Sequence, residues 1–198
     1  MYDLRDKRWL QNIRKKNNSH HTVVLTFDDG PSRHLEKLLD VLYEKQVRAV
    51  FFWNTRLLHK HRPWKRVLEE GHIIGSHAHR HKNLAALTKK EQYKQIKTSV
   101  KLIEEVTGTP VSFFRPPFGQ YNEKTMEVLR ELNIKPVMWE VTSYDWEYKS
   151  VPKQIIPNVT NHIQDGSIIL LHELEQTAAI LPSLIDEIRH QGYSFDVL

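Results

Sequence analysis

The sequence predicts an α/β protein, a distorted (β/α) barrel of about seven repeats. Three observations lead there. From about residue 22 onward, short apolar runs alternate with segments whose apolar residues recur at helical spacing, and such alternation builds a parallel sheet covered by helices. The runs are rich in Val, Ile, Leu and Phe, as strands buried on both faces are. Seven or so such units within 198 residues suit a barrel better than an open sheet.

"TVVLTF" (22–27) is the first strand, and Leu35, Leu38, Leu39 and Leu42 mark the helix after it. "VRAVFF" (47–52) is the second strand. A helix follows Pro63, a residue suited to a first helical position, with Trp64, Val67 and Leu68 on one face. "HIIG" (72–75) is a short third strand. Thr88 and Glu91 make a capping box for the clearest helix, whose apolar face is Tyr93, Ile96, Val100 and Ile103; Gly108 and Pro110 end it. "VSFF" (111–114) follows, then a helix capped by Asn122 and carrying Met126, Leu129 and Leu132. "PVMW" (136–139) is a strand, and a weaker helix interrupted by Pro157 runs to about Ile163. "SIILL" (167–171), a helix from Leu181 to Ile188, and "YSFDV" complete the chain.

Residues 21–198 read as one domain behind a basic leader, residues 1–20, without a linker or low-complexity tract. In the leader Arg5, Lys7, Arg8, Arg14, Lys15 and Lys16 face only Asp3 and Asp6. It reads as a solvated segment; contact with an anionic polymer or surface is the sharper alternative. The net charge is +5, yet no zinc-finger or RNA-binding signature accompanies it, which argues against nucleic acid. There are no cysteines, so disulfides and thiolate metal sites are excluded. No apolar run approaches the roughly 20 residues of a membrane span. The N-terminus is charged and lacks the apolar stretch of a signal peptide. As it stands the sequence reads as cytoplasmic; an extracellular or cell-wall setting is expected instead if an export signal has been removed. No feature specifies an oligomeric state.

In (β/α) barrels chemistry gathers at the C-terminal ends of the strands, and five such ends carry polar groups. "TFDDGPS" places Asp28 and Asp29 after the first strand. Two adjacent carboxylates repel, and one would tend to take up a proton; a divalent cation on one leaves the other free to act as a base. "GSHAHRH" places His77 and His81 four apart, where a helical turn would aim both imidazoles at one metal, with His79 pointing elsewhere. With no cysteine to serve, a carboxylate is the expected third ligand. "FFRPPFG" brings Arg115, a fixed cation suited to pairing with a carboxylate, and a stiff turn in which Phe118 and Gly119 keep N–H groups able to serve an oxyanion. "SYDW" brings Asp145, and "ILLHE" ends a strand in His172. Singly, each has an ordinary structural explanation: a turn, a polar loop, a surface arginine, a core histidine. Together they compose one site.

With "TFDDG", "HAHRH", "RPPFG", "DW" and "LLH" in that order, residues 20–198 resemble the polysaccharide deacetylase, or NodB-homology, domain of carbohydrate esterase family 4. The resemblance implies a barrel with fewer than eight repeats and metal-dependent removal of N-acetyl, less often O-acetyl, groups from sugars such as chitin oligomers or peptidoglycan fragments. It implies Asp28 as general base, Asp29, His77 and His81 as metal ligands, and Arg115 as the partner that orients Asp28. The Phe118 N–H would serve the oxyanion, and His172, supported by Asp145, would be the general acid. Trp146 and Leu170 would line the pocket for the acetyl methyl. The metal expected is Zn²⁺, with Co²⁺, Ni²⁺ or Mn²⁺ as alternatives, and the partner expected is a saccharide. Two positions depart from the family pattern: Ala78 stands where Ser or Thr usually braces the metal loop, and Thr142 where an acidic residue often stands. Competing readings are an amidohydrolase acting on a small non-sugar amide and a non-catalytic saccharide-binding relative.

Overall fold

The computed structural model describes residues 6–13 and 21–198. Its strands are β1 (Thr22–Gly30), β2 (Val50–Trp53), β3 (Ile73–Ser76), β4 (Phe113–Phe114), β5 (Lys135–Pro136), β6 (Val141–Thr142), β7 (Ile168–His172) and β8 (Ser194–Phe195). The helices are α1 (Leu35–Glu44), α2 (Trp64–Glu69), α3 (Lys89–Thr107), α4 (Glu123–Glu131), α5 (Ile155–Thr160) and α6 (Glu175–His190). The sheet runs β5-β4-β3-β2-β1-β7-β6, with β8 added at the start of β1, and its ladders are parallel. It is a curled sheet, a half-barrel, with its two outer strands separated by only residues 137–140 in the chain.

Period-two alternation along the strands decides what points where. On β1, Val23, Leu25 and Phe27 face outward into the large core beneath the helices, with Leu35, Leu39, Phe51 and Leu171 among its members. Val24 faces inward and joins Val50, Phe52, Val137 and Ile168 in a second core inside the curl. Continuing inward from Val24 by twos places Thr26 and then Asp28 toward the mouth. The same count on β7 runs from Ile168 to Leu170 to His172. An apolar plug therefore fills the bottom of the curl, and the first polar groups appear where the strands end.

The Thr88–Glu91 capping box forms, and Gly108 ends α3 at φ 70°, a conformation glycine adopts at little cost. Asn122 caps α4. Three details differ from the sequence reading. The fourth and fifth strands pair over two residues each, because the sheet curls sharply and Pro136 brings no donor to its ladder. The last long helix begins at Glu175, well before Leu181, and continues through Pro182 because Ala178, Leu181, Leu184, Ile185 and Ile188 keep one face buried. The third concerns the leader, whose residues 6–13 are not merely solvated. Trp9 is 4% exposed and lies edge-on to Tyr121 at 4.4 Å. Leu10 donates its N–H to the Pro136 carbonyl and accepts from Met138, and Asp6 binds Arg8 and the Tyr121 hydroxyl. The rest of the leader lies outside the described residues.

Candidate active site

Asp28 ends the inward row of β1 and is 2% exposed. A carboxylate there needs a partner, and Arg115, fully buried just after β4, supplies it. Arg115 Nη1 donates to Asp28 Oδ1 at 2.8 Å and to Thr26 Oγ1 at 2.7 Å, while Nη2 donates to the Met138 carbonyl. The guanidinium lies over the Phe52 ring at 4.2 Å, a contact available to a flat cation. Burial pushes the Asp28 carboxyl above its ordinary range, opposed by Arg115 and more weakly by His172 and His81.

Asp29 holds φ 65° where the pairing of β1 with β2 shifts register between Asp28 and Gly30. His77 follows β3, and its Nδ1 stands 2.7 Å from the Arg115 carbonyl. A carbonyl only accepts, so Nδ1 carries the proton and Nε2 presents a lone pair. Burial holds the His77 pKa down at about 3, which keeps the imidazole neutral, as a ligand must be. Nε2 of His77 lies 3.7 Å from Asp29 Oδ1, and Nε2 of His81 lies 3.0 Å from it. Asp29 Oδ1 is itself buried and hydrogen-bonds to no described residue. The three candidate ligand atoms lie within 4.8 Å of one another. A divalent cation fits this donor set of two imidazole nitrogens and one carboxylate oxygen.

The expected helical turn between His77 and His81 is absent. Residues 77–81 form a loop in which Ala78 and His81 take φ 65° and 47°, and this brings the rings to 5.0 Å. His79 points away, to Thr55 Oγ1 at 3.0 Å. The bracing hydroxyl missing at Ala78 is replaced from neighbouring positions. Ser76 Oγ, bonded to Ser99, accepts from the Ala78 N–H; Thr55 and Arg56 donate backbone N–H groups to the carbonyls of Ala78 and His79; and Gln95 accepts from the Arg80 N–H.

Across the mouth, His172 Nδ1 meets Asp145 Oδ1 at 2.7 Å. Asp145 is fully buried, and its other oxygen accepts from the His172 N–H and the Thr177 hydroxyl. Burial disfavours charge on His172, but the Asp145 hydrogen bond and charge, aided by Asp28 and Asp29, outweigh it and raise the His172 pKa. Nε2 is left toward the mouth. Trp146 stands edge-on to His172 at 5.1 Å, and Leu170, Trp139 and Thr142 line the same cavity of about 690 Å³ with Asp28, Asp29, His77 and His81. Phe118 lines it too, at φ 60° and edge-on to His81 at 4.5 Å. Of the two N–H groups expected in that turn, that of Gly119 is taken by the Pro116 carbonyl, which leaves Phe118 as the candidate. Asp29, Ala78, His81, Phe118 and Tyr144 all hold positive φ without being glycine, and such conformations concentrate at functional sites.

One residue of the site escapes sequence reasoning. Glu173, next to His172, is 2% exposed. Its carboxylate accepts from the Trp53 indole at 2.9 Å and the Ser32 N–H at 2.6 Å, and the Ser32 hydroxyl donates to its carbonyl. Its own N–H donates to the Asp28 carbonyl at 3.3 Å. A Cβ on Gly30 would sit 1.7 Å from its Oε1, so Gly30 is the residue that admits it. Burial pushes the Glu173 pKa up to about 7. The only signal in the sequence is an acid beside His172 and a Gly beside Asp29, neither of which predicts the contact.

Known proteins resemble this chain in sequence and fold. A family model described as polysaccharide deacetylase matches residues 15–137. The peptidoglycan-N-acetylglucosamine deacetylase PgdA of Listeria monocytogenes is 34% identical over 186 residues, which span 91% of this chain and 38% of that protein. The peptidoglycan-N-acetylglucosamine deacetylase of Bacillus cereus is 33% identical over 183 residues, 89% of this chain and 66% of that one. Among solved structures, the Bc1960 peptidoglycan N-acetylglucosamine deacetylase superposes with a TM-score of 0.85 at 32% identity, covering 91% of this chain and 87% of its own. BA3943 from Bacillus anthracis, a family 4 pseudoenzyme, also reaches 0.85, at 25% identity over 92% of this chain and 65% of that one. The chain thus spans well under half the length of the Listeria protein, and it belongs to the polysaccharide deacetylase family, carbohydrate esterase family 4.

Proposed function

We propose that the protein is a metal-dependent hydrolase that removes N-acetyl groups from a saccharide, with the N-acetylglucosamine of peptidoglycan as the leading substrate. The observation that carries this reading is the division of labour between adjacent carboxylates. Asp28 Oδ1 is occupied by Arg115, and Asp29 Oδ1 faces two imidazole Nε2 atoms. Asp29, His77 and His81 would hold the metal, and two imidazoles with one carboxylate suit Zn²⁺. When bound, the metal supplies Lewis acidity, which lowers the pKa of water to about 7 and polarises a carbonyl.

The chain's own groups do the rest. Asp28 Oδ2, the oxygen Arg115 leaves open, takes the proton from the attacking water. Arg115 opposes the pull of burial on Asp28 and so favours its ionised form. The Phe118 N–H stabilises the developing oxyanion. The departing amine needs a proton, and His172 gives it from Nε2, because Asp145 occupies Nδ1 and favours the protonated ring. Trp146 and Leu170 enclose the acetyl methyl and exclude water from it. The protein retains base, acid and ligand set together, which favours an enzyme over a binding-only relative such as the pseudoenzyme. The test is acetate release from peptidoglycan fragments, chitin oligomers, acetylated xylan and N-acetyl sugars, with chelated protein and with Zn²⁺, Co²⁺ or Mn²⁺ restored. Metal-dependent release is expected. Metal binding without release from any of them would overturn the reading in favour of a small amide or a binding function. In the same assay Asp29→Ala should lose metal and activity together, whereas Asp28→Asn should keep the metal and lose most turnover.

A further inference from the structure

The mouth of the curl is electrically lopsided. Sheet order puts β1, β2 and β3 side by side, so the loops at their C-terminal ends form one continuous flank of the mouth. Residues 31–35, 54–68 and 77–90, the loops of this flank with the first one to five residues of the helices after them, contain no Asp or Glu; the first acids met are Glu36, Glu69 and Glu91. They carry Arg33, Arg56, Lys60, Arg62, Arg80 and Lys82, of which all but the half-buried Arg62 are exposed. None of these six forms an ion pair with a described acidic side chain, whereas Arg66 and Lys89, in the helix starts of the same segments beside Lys65 and Lys90, are each paired twice. The loop bearing Arg56 is tied to the metal loop by the bond from its N–H to the His79 carbonyl at 3.0 Å. Arg62 Nε is buried without a hydrogen bond to a described residue.

The opposite flank, after β6 and β7, is different in kind. It carries Glu147 and Glu175 against Lys149 and Lys153, and it exposes the rings of Tyr144 and Trp146, 5.3 Å apart. Flat rings suit the apolar face of a sugar; a row of unpaired cations suits carboxylates.

We propose that the β1–β3 flank is a recognition surface for carboxylates carried by the substrate strand itself, so that the protein selects an anionic glycan, one bearing acidic or peptidyl substituents, over a neutral polymer of the same sugars. This rests on the deacetylase reading. The strand would lie across the mouth with a sugar on Tyr144 and Trp146 and its acidic substituents over the exposed Arg33, Arg56 and Lys60. Such contacts act at long range and weaken with salt.

The test compares two forms of one N-acetylated glycan, with its peptide carboxylates free or amidated, using zinc-loaded protein. The wild type should show a higher kcat/KM for the free-carboxylate form, and the preference should fade at high salt. In the triple variant Arg33→Gln/Arg56→Gln/Lys60→Gln the ratio between the two forms should fall about tenfold, since exposed charge contacts are individually weak and three are removed together. Equal kcat/KM for the two forms in the wild type, or a ratio the triple variant leaves unchanged, would overturn the proposal. Calorimetric binding of both glycans to the non-hydrolysing Asp28→Asn protein separates the two layers. Preferential binding of the free-carboxylate form without acetate release by the wild type would sink the deacetylase reading and keep the surface. Acetate release with equal binding would do the reverse.

Discussion

Replacing Glu173 by Gln should flatten part of the protein's pH-stability profile. The Glu173 carboxyl has a pKa of about 7 in the folded state against an ordinary 4.5, because its burial outweighs the hydrogen bonds from Ser32 and Trp53. Between those values the folded state holds a proton that the unfolded chain has released. Stability from this group is therefore fully present below about pH 4.5 and declines as pH rises to about 7. At 1.36 kcal/mol per pH unit the interval amounts to about 3 kcal/mol. His77 acts in the opposite sense, its pKa lying near 3 when folded, so the profile of one protein mixes the two. The difference between wild type and Glu173→Gln isolates Glu173. Gln offers one acceptor where two N–H groups arrive, and the mismatch should cost the variant about 1–3 kcal/mol at low pH. That deficit should shrink, and can reverse, toward pH 8. Urea unfolding followed by circular dichroism, with chelator present, measures both proteins across the range. Parallel profiles, with a constant deficit from about pH 4.5 to 8, would refute the argument that Glu173 is a destabilised buried acid.

Three further outcomes are expected. Gly30→Ala drives a methyl into the Glu173 carboxylate; an overpacking cost of 1–3 kcal/mol should lower the melting temperature by roughly 2–10 °C and weaken zinc binding, as read by calorimetry and a chelating dye. Arg115→Met leaves Asp28 buried without its cation; denaturant titration should show a loss of about 3–5 kcal/mol, larger at pH 8 than at pH 5, where Asp28 can take up a proton instead. In Asp145→Asn the support for charge on His172 is gone, so the alkaline limb of the kcat profile should move to lower pH while zinc affinity stays near that of the wild type.

The sequence carried the fold class plainly, because strands buried on both faces need continuous apolar runs and the helices between them need capped, one-sided faces. Thr88, Glu91 and Asn122 announced their helix starts through local chemistry alone. The ten candidate site residues stood out because each belongs to a motif at or near a strand end, and the structure gathers them around one mouth. Other features were not legible. The loop geometry of His77 and His81 depends on φ values that no side chain in "HAHRH" advertises. The compensation for Ala78 comes from Ser76, Thr55 and Gln95, partners that only the tertiary fold brings together. Glu173 reads as an ordinary surface acid until β1 and β7 pair and Gly30 opens a place for it. Trp9 and Leu10 were hidden by the charges around them, since their partners, Tyr121 and Val137, lie more than a hundred residues away.

Leu10 also bears on how the protein behaves in a crowd of its own copies. The outermost strand of a sheet offers unpaired N–H and C=O groups to any passing chain, and proteins cover such strands to avoid aggregation. Here the backbone around β5 is matched from within: Leu10 donates to the Pro136 carbonyl and accepts from Met138, while Trp9 buries its ring beside Tyr121. The half-barrel thus gains, from a few residues of its own chain, the edge protection that complete barrels obtain by closing. Stripping those residues away should first appear as self-association and lost solubility, with the helices still intact.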